Sequence, residues 1–234
     1  DGKTDLEYMN EHDAENPRLK VLPIFGVPLT VNEEMTTTLD YGFDYSGSLH
    51  YGIDAYFHAP FKMNDHVETY VVQEAIWDRG EGRGSLSKQV GKSYSADGVH
   101  LCTVETYDCC IYDGGFGGER PPKDVVEYPD REPDLTYEEV CGYQWPLIYR
   151  FMGDWHQQHI YWAYTEQTGL ARPINHGVCT AGIAMRHLIA LLIPGQPERL
   201  RRFKCRFTSP VLPGTRLCTQ VWKVGEGEAR FCMV

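Results

Sequence analysis

Between Leu49 and Ile111 apolar and polar positions alternate in four successive runs: YGIDAYFHAPF, TYVVQEAIWDRG, GSLSKQVGKSYSADG and HLCTVETYDCCIY. Turns rich in Gly, Asp and Asn separate them. Alternation with short connections predicts a meandering antiparallel sheet. The preceding LKVLPIFGVPLT is apolar but broken by Pro23, Gly26 and Pro28, so it reads as an extended or edge segment. At Asp113 the alternation stops in DGGFGGERPPKD, and residues 119–136 read as an acidic, Pro-rich linker that places a boundary near Asp134. Beyond it the period changes. Tyr137 to Met152 reads as a helix with apolar Val140, Trp145, Leu147, Ile148 and Phe151. GDWHQQH follows as a turn and short helix, and Tyr161 to Gly169 continues it with Gly169 as C-cap. VCTAGIAMRHLIALLIP is apolar on nearly every face, which predicts a buried helix ended by Pro194-Gly195. RRFKCRFTSPV, RLCTQVWKVGEG and ARFCMV close the chain as strands. The pattern is α+β, with antiparallel strands around one long buried helix.

Composition narrows the class. The 234 residues permit one large domain or two of roughly 110 each, and 42% hydrophobic residues suffice for a core. No apolar run approaches the ~20 residues that span a bilayer. The net charge of −11 argues against nucleic acid or an anionic membrane as partner. Eight cysteines include the adjacent Cys109 and Cys110 but no C-x-x-C pair, so reduced thiols in an intracellular protein are expected. The loop with Gly114, Gly115, Gly117 and Gly118 lacks the Lys-Ser/Thr and the following helix of a nucleotide cradle.

Candidate chemistry concentrates between Leu147 and Ala181. Asp154 and His159 lie five positions apart, and His176-Gly177 stands seventeen beyond, directly before the buried helix. Alone, Asp154 is most simply a helix N-cap and His159 a surface or core residue. Together with a backbone amide at a helix start they can hold a water, move its proton and stabilise an oxyanion. Water needs such a base, because its pKa is near ~15.7. The dense basic run Arg199, Arg201, Arg202, Lys204 and Arg206 is a second candidate. On a strand Arg202, Lys204 and Arg206 share one face, which suits either carrier phosphates or plain solvation. Cys179, near the start of the buried helix, is a weaker candidate nucleophile that more simply faces the core.

The stretch GDWHQQH with ARPINHG resembles the signature of the MaoC-like, (R)-specific enoyl-CoA hydratase family, Gly-Asp-x-Asn-Pro-x-His followed by Arg-Pro-Ile-x-His-Gly. Gly153, Asp154, His159, Arg172, Pro173, Ile174, His176 and Gly177 match, while His156 and Gln157 replace the Asn and Pro. VLPIFGV, GGFGG, Tyr149-Arg150 and SPVLPGTRLCTQVWK are similar to further family segments in the same order. The resemblance implies a double hot-dog, two antiparallel sheets each wrapping a helix. Residues 1–118 would form a substrate-binding half, 119–136 the linker and 137–234 the catalytic half. It implies a hydro-lyase acting at the α,β position of an acyl thioester, with Asp154 and His159 as acid–base groups and Gly177 as oxyanion donor. Tyr149, Trp155, His156, His176, Arg202, Lys204 and Arg206 are the expected substrate contacts. Asp154, His156 and His159 also resemble a Zn or Fe(II) ligand set, but the family resembled is metal-free. No metal or cofactor is expected, apart from coenzyme A within a substrate, and a homodimer is. The changes at His156 and Gln157 are expected to loosen the turn that aims His159. Trp145, Tyr149, Trp155, Tyr161, Trp162 and Tyr164 point to a bulky substrate, so a biosynthetic dehydratase, isomerase or lyase on a polyketide-like or cyclic compound is the alternative. A non-catalytic binding module of the same fold is the third reading.

Overall fold

The computed structural model describes residues 5–10, 19–31 and 42–234. Strands β1 (Ser48–Phe57), β2 (Val67–Asp78), β3 (Ser85–Ser95) and β4 (His100–Cys110) follow the four alternating runs. They pair antiparallel, as their short connections require. Asp97-Gly98 turns β3 into β4, with Gly98 at φ 77°, a conformation that costs glycine little. The segment before β1 is not an edge strand. Pro23–Gly26 is a 3-10 turn, because Pro23 presets a helical φ at its first position, and Val27 behind it is fully buried.

The stretch Tyr137–Met152 departs most from the helical expectation. Leu135–Val140 is instead a strand, β5, with exposed Thr136, Glu138 and Val140 alternating with half-buried Leu135, Tyr137 and Glu139. Its period is two, and Cys141-Gly142 ends it before any helix can form. Only α1 (Trp145–Tyr149) is α-helical there, continued by a 3-10 turn at Arg150–Met152. A short helix α2 (Trp162–Gln167) and the long helix α3 (Gly177–Leu192) follow. The chain ends with β6 (Arg202–Arg206), β7 (Arg216–Gly225) and β8 (Glu228–Met233).

The strands form a five-stranded sheet, β2-β3-β4-β1-β6, and a three-stranded sheet, β5-β7-β8. β6 therefore leaves its own half of the chain to pair with β1, from Gly52↔Arg206 to Tyr56↔Arg202. A Cβ on Gly52 would lie 2.8 Å from the Cys205 carbonyl oxygen, so the close approach of β6 needs glycine at that position. Helix α3 runs between the sheets. Its Val178, Ala181, Met185, Leu188 and Ile189 share one core with Ile53, Val104 and Phe203 of the larger sheet and Val221 of the smaller. Each fully buried Val, Leu, Ile, Met or Phe among them contributes about 1.5–3 kcal/mol, and Ala181 less. Among the described residues α3 is the only helix longer than six residues, and the helix expected inside the first half is not among them. No helix among them is long and apolar enough to cross a membrane.

The two irregular segments between the halves are fastened. The glycine loop cradles an anion, but an internal one: the Asp78 carboxylate accepts the amides of Gly80, Gly115 and Gly117 at 2.7–2.8 Å. These amides, Gly115 first, hold its carboxyl below the ordinary carboxylate range. The acidic segment is tied across β6 and β7. Asp124 accepts from Lys204, and Trp222 donates to the Arg131 carbonyl. Arg131 forks onto Asp134, which caps the Lys223 amide.

Candidate active site

Gly153 sets the position of Asp154. It ends the 3-10 turn at φ 103°, a left-handed conformation that a Cβ would strain. The Asp154 carboxylate then accepts the amide of His156 at 3.2 Å. The next turn, Gln157–His159, is capped by His156, whose Nδ1 accepts the Gln158 amide at 3.4 Å. His156 thus supplies the cap acceptor, as an Asn can at such a position. Gln157 is an exposed residue at the start of this turn.

His159 is buried, and its Nδ1–H donates to the Ile174 carbonyl at 2.9 Å. That bond fixes the tautomer with the lone pair on Nε2, which the Gln158 side-chain amide approaches at 3.4 Å. Its ring stacks on His176, with centroids 3.6 Å apart and planes 24° from parallel. His176 is fully buried behind the pair; its Nε2 reaches the Asp154 carbonyl at 3.3 Å, and Tyr149 packs on its other side. Burial lowers the pKa of both imidazoles, helped for His159 by its neighbour His176, so both are neutral at physiological pH.

One oxygen of Asp154 and one ring nitrogen from each of His159 and His176 lie within 4.8 Å of one another. A water with two hydrogen bonds of ordinary length spans such a gap. The trio also has the composition of a metal site, with His176 in place of the expected His156. The His176 Nε2 is already engaged by the Asp154 carbonyl at 3.3 Å, and the His159 Nδ1 by the Ile174 carbonyl.

Gly177 opens α3, with His176 as N-cap. Its N–H has no acceptor among the described residues and stands where the helix dipole favours negative charge. Asp154, His156, Gln158, His159, Asn175 and Gly177 all line one cavity of about 430 Å³. A second cavity, of about 460 Å³ around Phe57, Pro60 and Phe61, brings no carboxylate and imidazole together.

Several expected contacts lie elsewhere. Trp155 is exposed and Tyr149 sits beneath His176; neither lines the cavity, nor does any other of the six aromatic residues that pointed to a bulky substrate. Arg202 forks onto the buried Asp54 at 2.7 and 2.9 Å, Lys204 pairs with Asp124 at 2.7 Å, and Arg206 donates to the Asp124 carbonyl. This face is charge-matched and outside the cavity. Burial pushes the Cys179 thiol up to about 11, so it is no thiolate nucleophile. All eight cysteines are free. Sequence reasoning missed Asn175, whose buried Oδ1 has no partner, and the residues of the first sheet that face Asp154: His50, Gln73, Gln89 and Asp108. No local signal marks these strand residues, because the same face of β4 also carries the apolar Cys102 and Val104 into the core.

Buried neutral histidines also predict a pH response. His176 and His187 are each lowered from 6.5 to about 4, chiefly by burial. Between those values the unfolded chain binds more protons than the folded one, so stability rises with pH there. It should fall by about 1.4 kcal/mol per pH unit per histidine as pH drops from 6.5 toward 4. Thermal midpoints measured across that range check it, and a flat profile would contradict it.

Residues 126–233 match the family model described as MaoC like domain. The chain is 30% identical over 210 residues to enoyl-CoA hydratase ChsH3 of Mycobacterium tuberculosis, covering 88% of this chain and 73% of that protein. It is 29% identical over 229 residues to the peroxisomal multifunctional enzyme type 2 of Mus musculus, covering 94% of this chain but only 30% of that protein. A MaoC-like dehydratase structure from Phytophthora capsici superposes with a TM-score of 0.82 at 24% identity, covering all of this chain and 82% of the other. A Mycobacterium tuberculosis protein with a double hot-dog fold superposes at 0.64 and 14% identity, covering 92% and 75%. These two structural likenesses establish the fold.

Proposed function

Because the chain belongs to the MaoC-like dehydratase family, we propose that it adds water to, or removes it from, the α,β position of an acyl thioester. One observation carries this reading: Asp154 and His159 stand close enough to share a water, beside an unused amide at a helix start. The carboxylate and the neutral Nε2 orient the water and take up its proton as oxygen attacks Cβ. Cα then receives a proton, and dehydration reverses the path. Either direction places negative charge on the thioester oxygen, and the Gly177 N–H is offered to it. The absent side chain leaves the thioester room, since a Cβ would already lie 3.2 Å from the Phe207 ring. His176 and Tyr149 are positioning residues behind the pair. Loss of enoyl absorbance when the protein meets a trans-2-enoyl-CoA tests the reading. No turnover of enoyl or 3-hydroxyacyl thioesters would end it.

Coenzyme A belongs to the proposal as the carrier. Arg202 is committed to Asp54, which leaves the exposed Lys204 and Arg206 to meet its phosphates. Replacing both with Gln should raise KM for a CoA thioester several-fold with kcat unchanged. Unchanged KM would confine the two to clamping the acidic segment. Arg202→Gln should instead lower stability by about 1–3 kcal/mol, because it takes two guanidinium donors from the buried Asp54 carboxylate and leaves it the longer Tyr56 hydroxyl bond at 3.2 Å. A homodimer is also proposed. Leu147, Ile148, Phe151 and Trp155 are large, apolar and exposed, the kind of residue that a second copy would cover. A cytoplasmic or peroxisomal location completes the proposal; the mouse relative named above is peroxisomal.

A further inference from the structure

The first sheet supplies one wall of the cavity, where a cluster of polar side chains interrupts the apolar Leu49, Tyr51, Cys109 and Cys110. Strand register aligns Ser87, Asp108 and His50 in one row across β3, β4 and β1. Gln73, Gln89 and Thr106 form the next row across β2, β3 and β4. All but Thr106 line the cavity. Bulges at His50/Gly52 and Gln73/Ala75 interrupt the ladder beside them, a device that re-aims side chains.

Most of these groups are already satisfied. The Gln73 amide donates to the Ala75 and Lys88 carbonyls, Ser87 donates to the Asp108 carbonyl, and His50 Nε2 meets the Gly52 carbonyl. The side chains of Asp108 and Gln89 have no hydrogen-bond partner among the described residues. An alkyl chain laid over them would strip their water and offer nothing back. A hydroxyl would replace it.

We propose that Asp108 and Gln89 are specificity residues that select an acyl group bearing a hydroxyl, or another hydrogen-bonding oxygen, beyond the carbons that react. The inference rests on the hydro-lyase reading and names its substrate class. Gln89 offers a donor and an acceptor. Burial, and secondarily the nearby Asp154 charge, raises the Asp108 carboxyl above the ordinary range, while His50 opposes the shift. The Asp108 oxygens accept from a hydroxyl, and the carbonyl oxygen of an Asn at this position would accept likewise.

The experiment compares wild type with Asp108→Leu, Asp108→Asn and Gln89→Leu. The substrates are trans-2-octenoyl-CoA and analogues hydroxylated at successive carbons beyond Cβ. Wild type should favour at least one hydroxylated analogue by about tenfold in kcat/KM. Both Leu variants should lose that preference, and Asp108→Asn should keep most of it. Wild-type preference for the plain chain, or a preference that neither Leu variant moves, overturns the inference alone. Failure of wild type to hydrate any of the thioesters removes the hydro-lyase reading and this inference together. The wild-type comparison decides the matter even where a Leu variant does not fold.

Discussion

Asp154→Asn and His159→Gln should each slow turnover of a 2-enoyl-CoA by about 10²–10⁴-fold, the usual contribution of a positioned acid or base. Asn at 154 is nearly isosteric and can still accept the His156 amide through its carbonyl oxygen, so the turn survives while the charge is lost. Gln at 159 retains a donor for the Ile174 carbonyl but no imidazole lone pair. His159→Ala is the poorer probe, because removing a ring stacked at 3.6 Å on buried His176 opens a void as well. If both groups hold one water, the double variant should be little worse than either single one, as groups acting together are non-additive. Steady-state rates with thermal midpoints check this. Full activity in either single variant would remove the mechanism.

Gly177→Pro should cost about 10²–10³-fold in kcat, the measured scale for losing one oxyanion donor. Position 177 is the first of α3, where proline is well accepted because that N–H has no partner in the helix. His176 before it is extended, at φ −61° and ψ 138°, as a residue preceding proline must be. The substitution therefore deletes the donor and spares the helix. Gly177→Ala is the control: it keeps the N–H and adds a Cβ at 3.2–3.4 Å from the Phe207 ring. A proline variant no slower than the alanine variant would assign the glycine to space alone.

The α+β pattern, the long buried helix and seven of the strands were legible, because period-two alternation and an all-round apolar run are local signals. β5 was not. LTYEEV precedes GYQWPLIYR, and the apolar residues of the two stretches happen to fall at helical spacing until Gly142 is taken as a stop. The pairing of β6 with β1 was also out of reach, since residues 146 or more apart meet there by tertiary packing alone. At the site, the Asp154, His159 and Gly177 spacing was readable as a motif. Asp108 and Gln89 were not, because a polar residue on a strand is taken to face water until the register shows otherwise. The cap at His156 was also out of reach, since only the folded turn brings its Nδ1 to the Gln158 amide.

The central claim is that this cavity moves water across a carbon–carbon double bond while leaving the thioester intact. Turnover of trans-2-octenoyl-CoA by wild type in ¹⁸O-labelled water, read by mass spectrometry, tests it most directly. The account predicts a 3-hydroxyacyl-CoA with the heavy oxygen at Cβ, the thioester uncleaved, and loss of that product in Asp154→Asn. Free coenzyme A with heavy oxygen in a released carboxylate, or unchanged substrate, would contradict it.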